Sequence, residues 1–91
     1  MQALALKNQR AEARMIFSGE VQLKPVGTAA VLPGKLQDMS DNGFRAIHDC
    51  PDLLAGRMVR FEHMFFSGWA RVAWTNELGG QIQSGFQIVR D

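Results

Sequence analysis

Apolar and polar positions alternate with period two through most of the chain after Arg14, the pattern of half-buried β-strands. In residues 15–24, Met15, Phe17, Val21 and Leu23 share one parity with Gly19, and Ser18, Glu20, Gln22 and Lys24 share the other. Pro25 and Gly27 end that strand. The same reading predicts strands over 29–38 (through Pro33 and Gly34), 44–47, 57–62, 66–75 and 82–89. Residues 50–56 read as a loop with room for one helical turn, and 76–80 as a turn cluster. No amphipathic helix of ordinary length follows residue 14. About six strands separated by turn signals predict an all-β domain, a small six-stranded antiparallel β-barrel. Closure removes the exposed edges that so small a sheet cannot otherwise cover. Residues 1–13, rich in Ala, Leu, Lys, Gln, Arg and Glu, predict a short flexible or helical N-terminal arm on a barrel spanning 14–91.

The 91 residues fit one small domain, and 46% hydrophobic residues suffice for a core. A formal net charge of +1 does not point to nucleic acid or an anionic membrane, so any basic site must be local. One cysteine, Cys50, excludes an internal disulfide and fits a reducing compartment. The opening MQALALKNQRAEAR has too short an apolar run for a secretory leader, and nothing approaches the roughly 20 apolar residues of a membrane span. The expected location is cytoplasmic.

Two short constellations stand out. The first is R10-A-E-A-R14, where the arm meets the first strand; the second is D38-M-S-D-N-G43, between two strands. They lie 24 positions apart (38 − 14), enough for a strand, a turn and a return strand. Each has a bland reading. Arg10 and Arg14 with Glu12 suit a solvated helix face. Residues 38–43 suit a hairpin turn, with Asn-Gly for positive φ and Asp and Ser capping backbone groups.

Together, in this order and strand context, they resemble the PilZ domain family, which is marked by RxxxR followed after a strand pair by (D/N)xSxxG. Arg10 and Arg14 match the first motif; Asp38, Ser40 and Gly43 match the second. W69-A-R-V-A-W74 and S84-G-F-Q-I-V89 are similar to later parts of the family, so the likeness covers most of residues 9–89. The resemblance implies a six-stranded barrel and binding of the bacterial second messenger cyclic di-GMP at those five residues. It also implies a receptor or adaptor that changes arm conformation and signals through a partner, either a separate effector protein or a second copy of this chain.

The chemistry suits that ligand. An arginine fork grips guanine O6 and N7, binds phosphate bidentately, or stacks on a purine. A carboxylate such as Asp38 accepts from guanine N1 and N2, and the Ser40 hydroxyl serves base or phosphate. Gly43 is expected to supply a backbone conformation closed to other residues and to admit the ligand closely. No nucleophile, base and oxyanion site assemble in the sequence, so an enzyme is not expected. Nor is a metal: His48, Asp49, Cys50 and His63 show no recurring ligand spacing.

Two other readings stand beside the first. One is a PilZ-like adaptor working mainly through protein contacts. The other is a small barrel binding single-stranded nucleic acid, against which the near-neutral charge and absence of Tyr count. The stretch M64-F-F-S-G-W69 reads as a hairpin packing its rings into the barrel, or alternatively as a docking patch. Trp69 and Trp74 have opposite parity, so an uninterrupted strand turns one of them outward unless a bulge intervenes near Gly68. Arg45, Arg57, Arg60 and Arg71, spread over several strands, read as solvated positions, with a positive flank as the alternative.

Overall fold

A computed structural model describes residues 19–90. Six strands follow one another: β1 (Glu20–Pro25), β2 (Leu32–Met39), β3 (Gly43–His48), β4 (Met58–His63), β5 (Ser67–Leu78) and β6 (Gln81–Val89). They close into an antiparallel barrel in the order β1-β2-β3-β6-β5-β4, with β1 and β4 sealing the ring. No helix occurs among the described residues. The predicted all-β barrel is therefore the observed architecture, and no described helix is long and apolar enough to cross a membrane. Residues 1–18, which contain the predicted arm, lie outside the described residues.

The alternation read from the sequence sets the core. Val21 and Leu23 on β1, Leu36 on β2, Phe44 and Ala46 on β3, Val59 and Phe61 on β4, Ala70 and Val72 on β5 and Phe86 on β6 all point inward. Phe44 stacks on Phe86 with ring centroids 4.7 Å apart and tilts against Phe61 at 4.9 Å. Burying one such ring stabilises the fold by roughly 1.5–3 kcal/mol.

The barrel departs from strict alternation at two bulges. On β2 the pairing with β3 slips between Leu36 and Asp38, so Leu36 faces in opposite Ala46 while Asp38 stands opposite Arg45 on the outer side. On β5 the pairing with β6 slips between Val72 and Trp74. Trp69 and Trp74, of opposite parity in sequence, therefore share the outer face, with 46% and 36% of their surface exposed. The bulge lies between the two indoles rather than near Gly68.

Two other predicted boundaries are corrected. Residues 76–78 continue β5, and the hairpin to β6 is a two-residue turn at Gly79 and Gly80. Both glycines have positive φ, 57° and 82°, the conformation that matches the strand twist in so tight a loop. The apolar side chains of the 64–69 stretch do not all pack inward: Met64 and Phe65 are 84% and 76% exposed at the β4–β5 tip. Phe66 alone turns toward the core, stacking on His63 with centroids 4.4 Å apart.

The loop predicted over 50–56 runs from 49 to 57, without a helical turn, and β4 begins one residue later than expected. The loop drops Leu53 into the barrel, where it is fully buried. A polar chain holds it. The Cys50 N–H donates to His48 Nδ1 at 3.1 Å, which puts the imidazole hydrogen on Nε2. His48 Nε2 then donates to Ser84 Oγ at 2.7 Å, Ser84 to Thr75 Oγ1 at 2.7 Å, and Thr75 to the Leu53 carbonyl at 2.9 Å. His48 and Ser84 are buried, and every donor in the chain has an acceptor.

Candidate ligand-binding site

The 38–43 motif forms the tight connection between β2 and β3. Ser40 N–H donates to the Gly43 carbonyl at 2.8 Å, and Asn42 N–H donates to Ser40 Oγ at 3.4 Å. Serine suits this place because its short hydroxyl reaches backbone groups two residues on. The turn is also tied to the end of β6: Ile88 N–H donates to the Asn42 carbonyl at 2.8 Å. Arg90 donates to Asn42 Oδ1 at 3.3 Å and to the Asp41 carbonyl.

Gly43 serves a different purpose from the one expected. It is not among the glycines with positive φ. Instead β6 passes so close that a Cβ at this position would lie 2.2 Å from the Phe86 carbonyl oxygen. The residue is required by the approach of a neighbouring strand, and the turn is thereby pressed onto β6.

Asp38 is 5% exposed, and its carboxylate receives the Arg45 guanidinium from the facing strand. Arg45 Nε donates to Oδ1 at 3.1 Å and Oδ2 at 3.0 Å, and Nη2 donates to Oδ2 as well. The hydrogen bond to Asp38 raises the Arg45 pKa, with the carboxylate's charge adding to it against the cost of burial. Arg45 therefore stays cationic, and Asp38 fixes where that cation points. The Arg45 side chain nevertheless keeps 43% of its surface exposed.

Beside this pair lies an open depression of about 240 Å³, bounded by Ser40, Asn42, Gly43, Arg45, Trp74, Gly85 and Gln87. Trp74 forms one wall. Its indole lies against the backbone of Gly85, so closely that a Cβ there would sit 2.3 Å from Nε1 and 2.4 Å from Cε2. The glycine lets a large aromatic ring lie down on the sheet. A hollow of about 440 Å³ between Glu20, Lys35 and Asp49 contains none of the motif residues.

Three of the five predicted site residues, Asp38, Ser40 and Gly43, are thus brought together at one turn, with Ser40 and Gly43 lining the depression. Arg10 and Arg14 lie outside the described residues. Sequence reasoning did not single out Arg45, Trp74, Gly85 or Gln87 for the site. Arg45 had a readable signal, since it sits two positions beyond Gly43 on the same strand face. Trp74 and Gly85 meet only because of the β5 bulge, which the sequence does not announce. Among the described residues no group of His, Cys, Asp and Glu side chains is arranged to hold a metal ion.

The chemistry of the depression is specific in kind. It brings together a fixed cation, the Ser40 hydroxyl, the side-chain amides of Asn42 and Gln87 and a flat aromatic wall. That set suits an anionic ligand with a planar ring. No family model matches the chain, and no curated protein matches it in sequence.

Proposed function

We propose that this protein is a cyclic di-GMP receptor of PilZ type, a binding domain rather than an enzyme, working in the cytoplasm. The observation that carries the reading is the depression in which Arg45, held by Asp38, stands across from Trp74 at the 38–43 turn. A guanine stacks on the indole while the guanidinium meets its O6 and N7 edge or a phosphate. Asp38 acts chiefly by orienting Arg45. Ser40 and Asn42 supply further polar contacts.

Reach supports the part of the first motif. Gly19, where the described residues begin, accepts a hydrogen bond from Leu36 N–H at 3.0 Å. Leu36 lies about 13 Å along the strand from Ser40. Arg14 is five residues before Gly19 and has about 17 Å of chain available, so its side chain can close over the depression. Binding then changes the conformation of the arm, and a partner reads the result.

The test is calorimetric titration of cyclic di-GMP into the wild-type protein, Arg14→Ala and Trp74→Ala, with GMP as control. Affinity near micromolar or tighter, about −8 kcal/mol, is expected for wild type. It should be lost in Arg14→Ala and weakened at least about fivefold in Trp74→Ala. A folded wild-type protein that gives neither heat nor a thermal shift sinks the reading. One observation favours the adaptor reading as second: Met64 and Phe65 project from the β4–β5 tip as an apolar knob suited to a protein partner.

A further inference from the structure

The outer face that holds Trp74 continues along β5, and the cross-strand register puts its residues in rows. Trp74 lies opposite Gly85, which lies opposite Arg45, which lies opposite Asp38. In the next row Arg71 lies between Met58 and Gln87. In the row beyond, Trp69 lies between Arg60 and Val89. Rows on one face are about 6.7 Å apart, so the two indoles stand roughly 13 Å apart with Arg71 between them.

Trp69 is built as a platform of its own. It is 46% exposed, and the Arg60 guanidinium carbon lies 5.3 Å from its ring centroid. Arg71 is exposed and makes no ion pair among the described residues. The charge is one-sided. β5 and β6 carry a single carboxylate, Glu77, which shares the inward parity of Thr75 at the far end of the hairpin. Glu62, 4.0 Å from Arg60, is taken up by Lys24 at 3.2 Å.

We infer that Trp69 is a second base platform, with Arg71 the phosphate contact between the two, so that this face takes both bases of a cyclic purine dinucleotide. The inference rests on the nucleotide reading of the Trp74 site and adds residues that reading does not use. One base lies on Trp74 beside Arg45, a phosphodiester meets Arg71, and the second base lies against Trp69 and Arg60. A phosphate-linked pair of purines complements the two rings and the unpaired cation. A mononucleotide reaches only one ring.

The protein has two tryptophans, which makes the test direct. Trp74→Phe leaves Trp69 as the sole emitter while keeping a ring at the first platform. Saturating cyclic di-GMP is expected to quench its emission. In calorimetry, Trp69→Ala is expected to weaken cyclic di-GMP binding by about 5- to 150-fold, Arg71→Ala by a similar factor, and Trp69→Phe much less. Phe65→Ala, at the exposed tip, should leave affinity unchanged.

Wild-type affinity in Trp69→Ala, or saturation without quenching in Trp74→Phe, overturns the second platform while the Trp74 site stands. Failure of the wild-type protein to bind overturns both. Tight binding of a 12-nucleotide oligo(dT) that cyclic di-GMP does not displace also overturns the inference, because the face would then be a strand-binding surface.

Discussion

The barrel holds two polar clusters, one inside and one outside, and they differ in what they leave open. Inside, the run from Cys50 N–H through His48, Ser84 and Thr75 to the Leu53 carbonyl matches each donor to an acceptor. Outside, Asp38 anchors Arg45 through Nε and Nη2, yet the Arg45 side chain keeps 43% of its surface exposed beside Trp74. Fully matched buried groups fix a unique packing, here the seat of Leu53. On the proposed reading, a half-matched cation held by a buried carboxylate is set up for a ligand. The distinction between structural and functional polarity lies in the leftover donors rather than in residue type.

The comparison is broken most sharply at Gly43, where both strands meet. Gly43→Ala forces a Cβ against the Phe86 carbonyl. It is expected to cost about 3 kcal/mol in urea unfolding, with ligand binding lost as well. An unchanged unfolding midpoint would show that β6 can give way.

Ser84→Ala attacks only the interior. It leaves the His48 N–H without its acceptor in a buried place and should cost about 1–3 kcal/mol, with the outer site's affinity unaffected. A loss of affinity as large as the loss of stability would mean that the two clusters are coupled.

The interior cluster should also respond to pH. Burial pushes the His48 imidazole below its ordinary value of 6.5, with nearby Asp49 opposing in part. The unfolded chain therefore takes up a proton first as pH falls. Stability contributed by neutral His48 is full above about 7 and declines through and below 6.5. Urea midpoints at pH 7.5 and 5.5 should show the decline, and His48→Gln should lessen it. A midpoint that rises toward pH 5.5 would reverse the assignment.

The smallest effect is expected at Gly85. The added methyl of Gly85→Ala meets the Trp74 indole, which can swing outward, so the cost should stay near 1 kcal/mol. The readout is a red shift of tryptophan emission together with weakened binding. Unchanged emission would mean that the ring does not rest on that backbone.

The fold was legible because period-two alternation runs through most of the strands, from Val21 and Leu23 to Ser84 and Phe86. It misled where one residue is inserted. Leu36 and Asp38 look alike in parity, as Trp69 and Trp74 look opposed, and pairing register alone reveals the slips. The turn motif was legible as a unit, while its partners Arg45, Trp74 and Gln87 come from three strands and are joined only by tertiary pairing. Gly43 shows a further gap. Its type suggested backbone conformation, but the cause is a neighbour 43 positions later, Phe86.

The ring order also governs when the pocket can exist. β1 and β3 pair with β2 early, but β3 must wait for β6, and β1 for β4, before either finds its second neighbour. Between β3 and β6 lie all of β4 and β5, so closure depends on a contact distant along the chain and costly in loop entropy. During synthesis Gly43 and Arg45 sit on an open strand edge until residues 81–89 have been made. Such non-local topologies assemble in roughly milliseconds to seconds rather than microseconds. The β5–β6 hairpin gives Trp74 its seat on Gly85 locally, but only the distant β3–β6 pairing brings Arg45 beside it, so the depression is complete only once the barrel has closed.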